Sequence, residues 1–335
     1  MEKSNYKAAI KITFYLLNII VLILLLLPAL AVNINIWWLD NLINLQLQIS
    51  VLALAVIVIN FVISFVYSKR YKVVLSALYC WLVAINIIPL YFNESLATSI
   101  GDKATSFTVA QLNLSYNNPN LTQLLPILGD RHFDLLVLQE VSDEQHINIK
   151  QLAKHYPYSF GLNAQEATPS GLAMFSRNPI TEKHIHDLGY KSGQLLEAII
   201  QMPHSTSPIQ VFALHPSSPR SEILWQRRNE TFSILAEKAS VSPFINKIMI
   251  GDFNSSPWSS AFKNLQQNSQ LKNSANGFGY LPSWSYSAKP LFSILTSAYI
   301  DHSLISPSFN VLNKYSQLIQ GSDHRLVITE LIVNN

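Results

Sequence analysis

Lys247-Ile248-Met249-Ile250-Gly251-Asp252-Phe253-Asn254-Ser255-Ser256-Pro257-Trp258 is the stretch on which the reading of this chain turns. Ile248 to Ile250 is a short apolar run of the kind a buried strand makes. It stops at Gly251, and a carboxylate and a carboxamide follow on alternate residues. Side chains two apart in an extended chain share a face, so Asp252 and Asn254 are expected to point the same way beyond the strand end. Ser255, Ser256 and Pro257 then turn the chain, and proline suits the first turn of a helix. One group able to take a proton beside another able to donate a hydrogen bond can orient a water against an electrophile. Taken alone, Gly-Asp-x-Asn is equally an Asx-type turn with no chemistry.

Upstream, the composition is unusual. Of 335 residues, 49% are hydrophobic and only 13% charged, and the apolar excess sits at one end. Three apolar runs, at about 12–32, 48–67 and 73–92, each match the ~20 residues that a bilayer core requires. A signal peptide would show one shorter apolar core and a small-residue cleavage site. Residues 1–92 are therefore expected to form a membrane anchor of three transmembrane helices, with a linker over 93–106 and a separate domain over 107–335. The alternative is a set of helices buried in a large soluble core. Lys3, Lys7 and Lys11 precede the first run, the link after it has Asp40 but no Lys or Arg, and Lys69, Arg70 and Lys72 fill the second link. The positive-inside rule then puts the N-terminus in the cytoplasm and everything after Phe92 across the membrane.

The formal net charge of +3 belongs to the anchor. Of 23 Lys and Arg and 20 Asp and Glu, seven and four fall in the first 103 residues, leaving 16 of each beyond. A neutral domain lacks the broad basic footprint of a nucleic-acid binder, so nucleic acid is not favoured as a partner, although a local basic groove would be compatible with it. The single cysteine, Cys80, lies in the third apolar run, which excludes an intrachain disulfide and a thiolate zinc site. Any metal must use oxygen and imidazole ligands.

After residue 106 the pattern changes to short apolar runs alternating with amphipathic stretches, the mark of a layered α/β domain. Strands are expected at Phe107–Leu114, Leu135–Gln139, Leu172–Ser176, Leu195–Gln201, Ile209–Leu214, Ile248–Ile250, Ile300–Ile305 and Val327–Val333. Helices are expected at Leu121–Arg131, Ser221–Ala239 and Ser259–Gln267, and loops near the site over Asn264–Tyr299. Six polar clusters fall at or just beyond the apolar runs: Asn113, Glu140, His215, Asp252 with Asn254, Asp301-His302, and Asp323-His324. Ionisable groups at strand ends are costly to bury unless paired or metal-bound. Six of them in a regular rhythm imply that the strand ends converge on one pocket.

The ordered series Asn113, Gln139-Glu140, Ser176-Arg177, His215, Gly251-Asp252-Phe253-Asn254, Asp301-His302 and Ser322-Asp323-His324 resembles the endonuclease/exonuclease/phosphatase superfamily, the DNase I-like metal-dependent phosphoesterases. It looks closest to a bacterial membrane-anchored branch. The resemblance implies a four-layer α/β sandwich, two facing mixed sheets flanked by helices, with a catalytic domain over 107–335. It also implies Mg²⁺, with Mn²⁺ the alternative, held by Glu140 with Asp323 and Asn113 beside it. Asp252 would orient or deprotonate the attacking water and Asn254 would hold a phosphate oxygen. His324 would contact the phosphate with Asp301 fixing its tautomer, and His215 would donate to the phosphate. Arg177, Arg228 and Glu197 are further candidates for contact with substrate; each has an ordinary structural alternative. The expected protein is an integral membrane phosphoesterase of a bacterial inner membrane, acting on the periplasmic side. Its substrate would be a phosphodiester or phosphomonoester of a lipid or small molecule. An extracytoplasmic nuclease and an inactive membrane-held binding protein are the alternatives. The sequence is silent on oligomeric state.

Overall fold

Apolar strands that bury both faces and helices with one apolar stripe have few stable arrangements, and this chain adopts a layered one. The computed structural model describes residues 2–30, 36–67, 70–91, 105–116, 118–162, 169–189, 192–202, 207–286, 293 and 296–333. Most of the expected 93–106 linker lies outside the described residues. The chain forms two compact units, residues 1–89 with 258–260, and residues 90–257 with 261–335.

The first unit is helical: α1 (Glu2–Leu30), α2 (Trp37–Ile43), α3 (Gln46–Tyr67) and α4 (Arg70–Tyr91), the last two residues of α4 belonging to the second unit. Val21 and Leu25 of α1, Ile49, Ala53 and Val56 of α3, and Tyr79 and Leu82 of α4 form its core. Inside that core Asn60 Nδ2 donates to Asn18 Oδ1 at 2.8 Å, and the Tyr79 hydroxyl donates to the Asn18 carbonyl. Polar pairs of this kind tie helices together where the surroundings are apolar. The outward faces are apolar too, with Ile12, Ile19, Val51, Val58, Phe61, Val74 and Trp81 exposed. Two stretches, Lys11–Leu30 and Val73–Tyr91, are long and apolar enough to cross a membrane. The expected second span is different: among the described residues it qualifies only if α2 and the following helix, bent by 66°, count as one broken span. The break falls at Asn44-Leu45, after α2 ends.

The second unit has two six-stranded mixed sheets. Its strands are β1 (Thr105–Asn113), β2 (Leu135–Gln139), β3 (Tyr158–Phe160), β4 (Ala173–Ser176), β5 (Ile180–Asp187), β6 (Gln194–Ile200) and β7 (Ile209–Leu214), then β8 (Asn246–Asp252), β9 (Lys272–Asn273), β10 (Trp284–Ser285), β11 (Ser297–Ala298), β12 (Asp301–Ile305), β13 (Phe309–Leu318) and β14 (Arg325–Val333). The first sheet runs β13-β14-β1-β2-β4-β3 and the second β5-β6-β7-β8-β12-β9; β10 and β11 pair separately. In each sheet one central pair is parallel, β1 with β2 and β7 with β8. The inner faces bury Phe107, Val109, Val137, Leu196, Val211, Ile248, Ile250 and Leu331 in one core. Helix α5 (Leu121–Asp130) covers the first sheet through Leu124, Leu125 and Leu128. Helices α7 (Glu222–Val241) and α8 (Ser260–Ser269) cover the second through Phe232, Leu235 and Phe262, and α6 (Asp143–Ile149) completes the set. The arrangement is the expected α/β sandwich.

Strand β1 begins two residues before the expected Phe107, at Thr105. Two long strands, β5 and β13, were not expected at all. Both are edge strands, rich in charged and polar residues along their exposed faces, so neither carries an apolar run.

Candidate active site

Both sheets deliver their polar residues to the same end. In the first, β1 finishes on Asn113, β2 runs into Glu140, and Asp323-His324 lead into β14. In the second, His215 follows β7, Asp252 closes β8, and Asp301 opens β12 directly opposite Asp252. The parallel pairs are in register at this end, Asn113 beside Gln139 and Leu214 beside Gly251. Gly251 permits the closeness of that second pair: a Cβ there would lie 1.9 Å from the Leu214 carbonyl oxygen.

Four side-chain contacts then bridge the sheets. Asn113 Nδ2 donates to Asp252 Oδ2 at 3.2 Å. His215 Nε2 lies 3.7 Å from Glu140 Oε1 and 3.6 Å from Asp252 Oδ2. His324 Nδ1 meets Asp301 Oδ2 at 2.9 Å, and its Nε2 lies 3.7 Å from Asp252 Oδ2. Asp252 Oδ1 accepts from the Asn254 backbone N–H at 2.8 Å. Around the rim, Asp323 accepts from the Ser115 hydroxyl and, at 2.8 Å, from Trp284 Nε1, while Glu140 Oε2 accepts from the Tyr116 N–H at 3.2 Å. Three non-glycine residues here hold positive φ, Ser115 at 58°, Glu140 at 54° and Asn254 at 49°. Such conformations are sparsely populated and persist where surrounding contacts enforce them.

Burial and mutual charge push the groups apart in acidity. Burial raises the Asp252 carboxyl to about 7, with the Asp301 charge adding to it and His324, the Asn254 N–H and Asn113 opposing. For His324, burial pulls the other way, yet the charge and hydrogen bond of Asp301, with Asp252 and Asp323, lift it to about 10. His215 is held below its ordinary value by burial, against the pull of Glu140. Burial also works against ionisation of Asp323, but Ser115, the His324 charge and Trp284 together hold it low. The site thus contains a near-neutral carboxylate, a charged imidazole and a neutral imidazole within reach of one another, the separation that acid–base work needs. Asp252, Asp301 and His324 offer ligand atoms within 4.8 Å of one another, a possible metal site. A charged His324 donates rather than ligates, which leaves the carboxylate oxygens as the atoms a cation would use.

Not every candidate joins this group. Arg177 follows β4, which runs antiparallel to β2, so Ser176 sits opposite Leu135 at the far end from Glu140. Its backbone N–H donates to Asp134 O and its guanidinium to His132 O. Glu197 lies on the outer face of β6, taken up by His186 Nε2 and Gln210 Nε2, each at 2.6 Å. Arg228 is fully buried and lies behind the site, where its Nη1 donates to the Asn254 carbonyl at 3.0 Å and its other nitrogens to Asn229 Oδ1. It braces Asn254. Asn254 itself donates its amide to Pro216 O at 3.1 Å, and Asn113 accepts the Ser115 N–H on its amide oxygen, so both carboxamides brace loops in addition to lining the mouth. His302 points away from the mouth into Phe253, Phe262 and Tyr299, where burial holds it down to about 3. Sequence reasoning missed Ser115, Tyr116 and Ser283, whose hydroxyl accepts the N–H groups of Ile300 and Asp301. Only proximity to Asn113 could have pointed to the first two.

Residues 110–324 match the model of the Endonuclease/Exonuclease/phosphatase family. The chain belongs to this family. As an endonuclease/exonuclease/phosphatase protein it is a hydrolase of phosphoric ester bonds. Solved structures agree in fold. A family protein from Bacteroides vulgatus is 14% identical with a TM-score of 0.56, covering 69% of this chain and 100% of its own. Another from Bacteroides thetaiotaomicron is 19% identical at 0.55, covering 69% and 99%. A mannosyl-6-phosphatase from the same species is 18% identical at 0.54, covering 67% and 99%. No curated protein sequence matches this endonuclease/exonuclease/phosphatase chain.

Proposed function

We propose that this endonuclease/exonuclease/phosphatase protein is an integral membrane enzyme with its domain on the extracytoplasmic side, hydrolysing a phosphodiester or phosphomonoester of a lipid or small molecule with Mg²⁺. The observation that carries the reading is the meeting of Asn113, Glu140, His215, Asp252, Asp301, Asp323 and His324 at one end of the sandwich. The apolar, outward-facing helices of the first unit and the Lys and Arg flanking them support a three-span anchor, with α2 and α3 as one broken span. The neutral charge of the residues after 103 favours a small or lipid ester over a polyanion.

The donor set fits a hard divalent cation. Four carboxylates, Glu140, Asp252, Asp301 and Asp323, gather around one charged imidazole, His324, and one neutral one, His215, and oxygen donors suit Mg²⁺. Glu140 would hold the ion, with Asp323 and Asn113 beside it. When bound it would supply positive charge against the phosphate oxygens. The chain's own groups do the rest. Asp252, whose carboxyl sits near neutrality, takes the proton of the attacking water and is aimed by Asn113 and the Asn254 N–H. His324, charged through Asp301, donates from Nε2 to the negative charge that builds on phosphorus-bound oxygen. His215, kept neutral, donates a second hydrogen bond, and the Asn254 amide has a further N–H for a phosphate oxygen.

The test uses the full chain in detergent. Hydrolysis of bis(p-nitrophenyl) phosphate is expected with Mg²⁺ and is expected to vanish with chelator and in Glu140→Ala. Turnover that survives exhaustive chelation, or none with any divalent cation, overturns the reading. Phospholipid-release and plasmid-nicking assays side by side sort a lipid enzyme from a nuclease. A C-terminal reporter active only in the cytoplasm would reverse the orientation.

A further inference from the structure

Lys314 is not explained by the site or by the core. It lies on β13, the edge of the first sheet, directly opposite Thr329 of β14, and only 3% of it is exposed. A lysine this buried normally has a paired anion and acceptors for its three protons. Among the described residues its one hydrogen-bond acceptor is Ser274 Oγ, at 2.7 Å. That hydroxyl in turn donates to the carbonyl of Ser303 at 2.7 Å. Ser303 is two residues from Asp301 on β12, and both side chains face inward between the sheets.

The deficit at Lys314 is matched by one at Asp301. Asp301 is fully buried; its Oδ2 accepts from His324, and its Oδ1 has no hydrogen-bond partner among the described residues. The hydroxyls of Ser303, two residues from Asp301, and of Thr329, directly opposite Lys314, are likewise buried without hydrogen-bond partners among the described residues. An unpartnered carboxylate oxygen is costly to bury, and a polar interior with too few protein partners is where ordered water completes the bonding. The Asp301 charge acts on Lys314, opposing a burial that pulls the ammonium down to about 7. Lys314 in turn disfavours the charged form of His302, on the opposite face of β12.

We propose that Lys314 is a positioning residue, holding the free oxygen of Asp301 through a buried hydrated link and so fixing the carboxylate that aligns His324. Lys314 never touches substrate. It supplies the donor that Oδ1 lacks, so that Oδ2 stays committed to the imidazole. The inference rests on the proposed role of the Asp301–His324 pair.

The experiment reads that pair directly. In the full chain in detergent micelles, the proton shared between His324 Nδ1 and Asp301 is expected to give a low-field ¹H resonance, lost in Asp301→Asn. In Lys314→Met, which conserves volume, the resonance is expected to move or broaden while the thermal midpoint is kept; Lys314→Gln serves if the methionine variant does not fold. With turnover as a second readout, Lys314→Met is expected to lower kcat severalfold at unchanged KM, and to cost nothing further in an Asp301→Asn background. An unmoved resonance in a folded Lys314 variant, no resonance in the wild type, or an additive loss overturns the proposal. A resonance that moves in a protein with no phosphoesterase turnover sinks the proposed function and leaves the positioning role standing.

Discussion

Replacing Asp301 with Asn removes one charge while keeping shape, and its expected effect follows from the geometry. Asp301 and His324 are both buried and meet at 2.9 Å. Burial disfavours the charged imidazole, yet it is lifted from 6.5 to about 10, a net preference of about 5 kcal/mol for the charged form in which Asp301 is the largest favourable contributor, ahead of Asp252 and Asp323. Without that carboxylate the burial that opposes ionisation gains ground, and the imidazole is expected to fall back toward the ordinary histidine value of about 6.5. The sign follows from the raised value: in the wild type the charged form persists up to about 10, and stability from the pair is present below 6.5 and fades as pH rises through about 10. In the variant it is gone by mild alkalinity. At pH of about 8 the charged fraction then falls to roughly one in thirty, so kcat is expected to drop about 30-fold there, with the loss shrinking toward pH of about 5. A pH–rate profile on a generic phosphodiester, beside an NMR titration of His324, measures both halves. If Asp301→Asn keeps kcat within about twofold of wild type at pH of about 8, with His324 still charged, the reasoning is wrong.

Other substitutions probe the frame. Arg228→Met leaves the Asn254 carbonyl without its buried donor, and is expected to cost about 1–3 kcal/mol by thermal unfolding and to lower kcat; Arg228→Lys is not expected to restore it, lacking the fork that serves Asn254 and Asn229 together. Arg177→Ala, at the opposite end of the first sheet, is expected to leave kcat/KM within about twofold. In Gly251→Ala the added carbon meets the Leu214 carbonyl, so a loss of about 3 kcal/mol is expected by denaturant titration; a change below about 0.5 kcal/mol would mean the two strands have slack.

Much of this was legible because an apolar run followed at once by one polar residue encodes both a strand and where it ends. Asn113, Glu140, His215 and Asp252 were found this way, and pairing brings them to one edge. The same pattern misled at Arg177. It marks the end of a strand but not which end of the sheet that is, and β4 runs the other way. Glu197 is a related case: it interrupts an apolar strand, but alternation turns it to the outer face. On helix α7 Arg228 falls on the buried stripe between Trp225 and Phe232, but a charged residue there reads by its chemistry as a solvated one, so its burial was not legible. Strands β5 and β13 were invisible because an edge strand needs no apolar run. The Lys314–Ser274 contact joins residues 40 apart in sequence and depends on how two sheet edges face each other, which no local pattern records.

Three side chains of the candidate site lean on a partner from the other sheet: Asn113 on Asp252, His215 on Glu140, His324 on Asp301. Neither half of the sandwich holds a working set. The chemistry is a clasp, competent only while the halves are shut, and a slight parting that left every strand paired would already disarm it. On warming, turnover is expected to fail before the far-ultraviolet signal of the strands does, so that activity gauges closure and not merely foldedness.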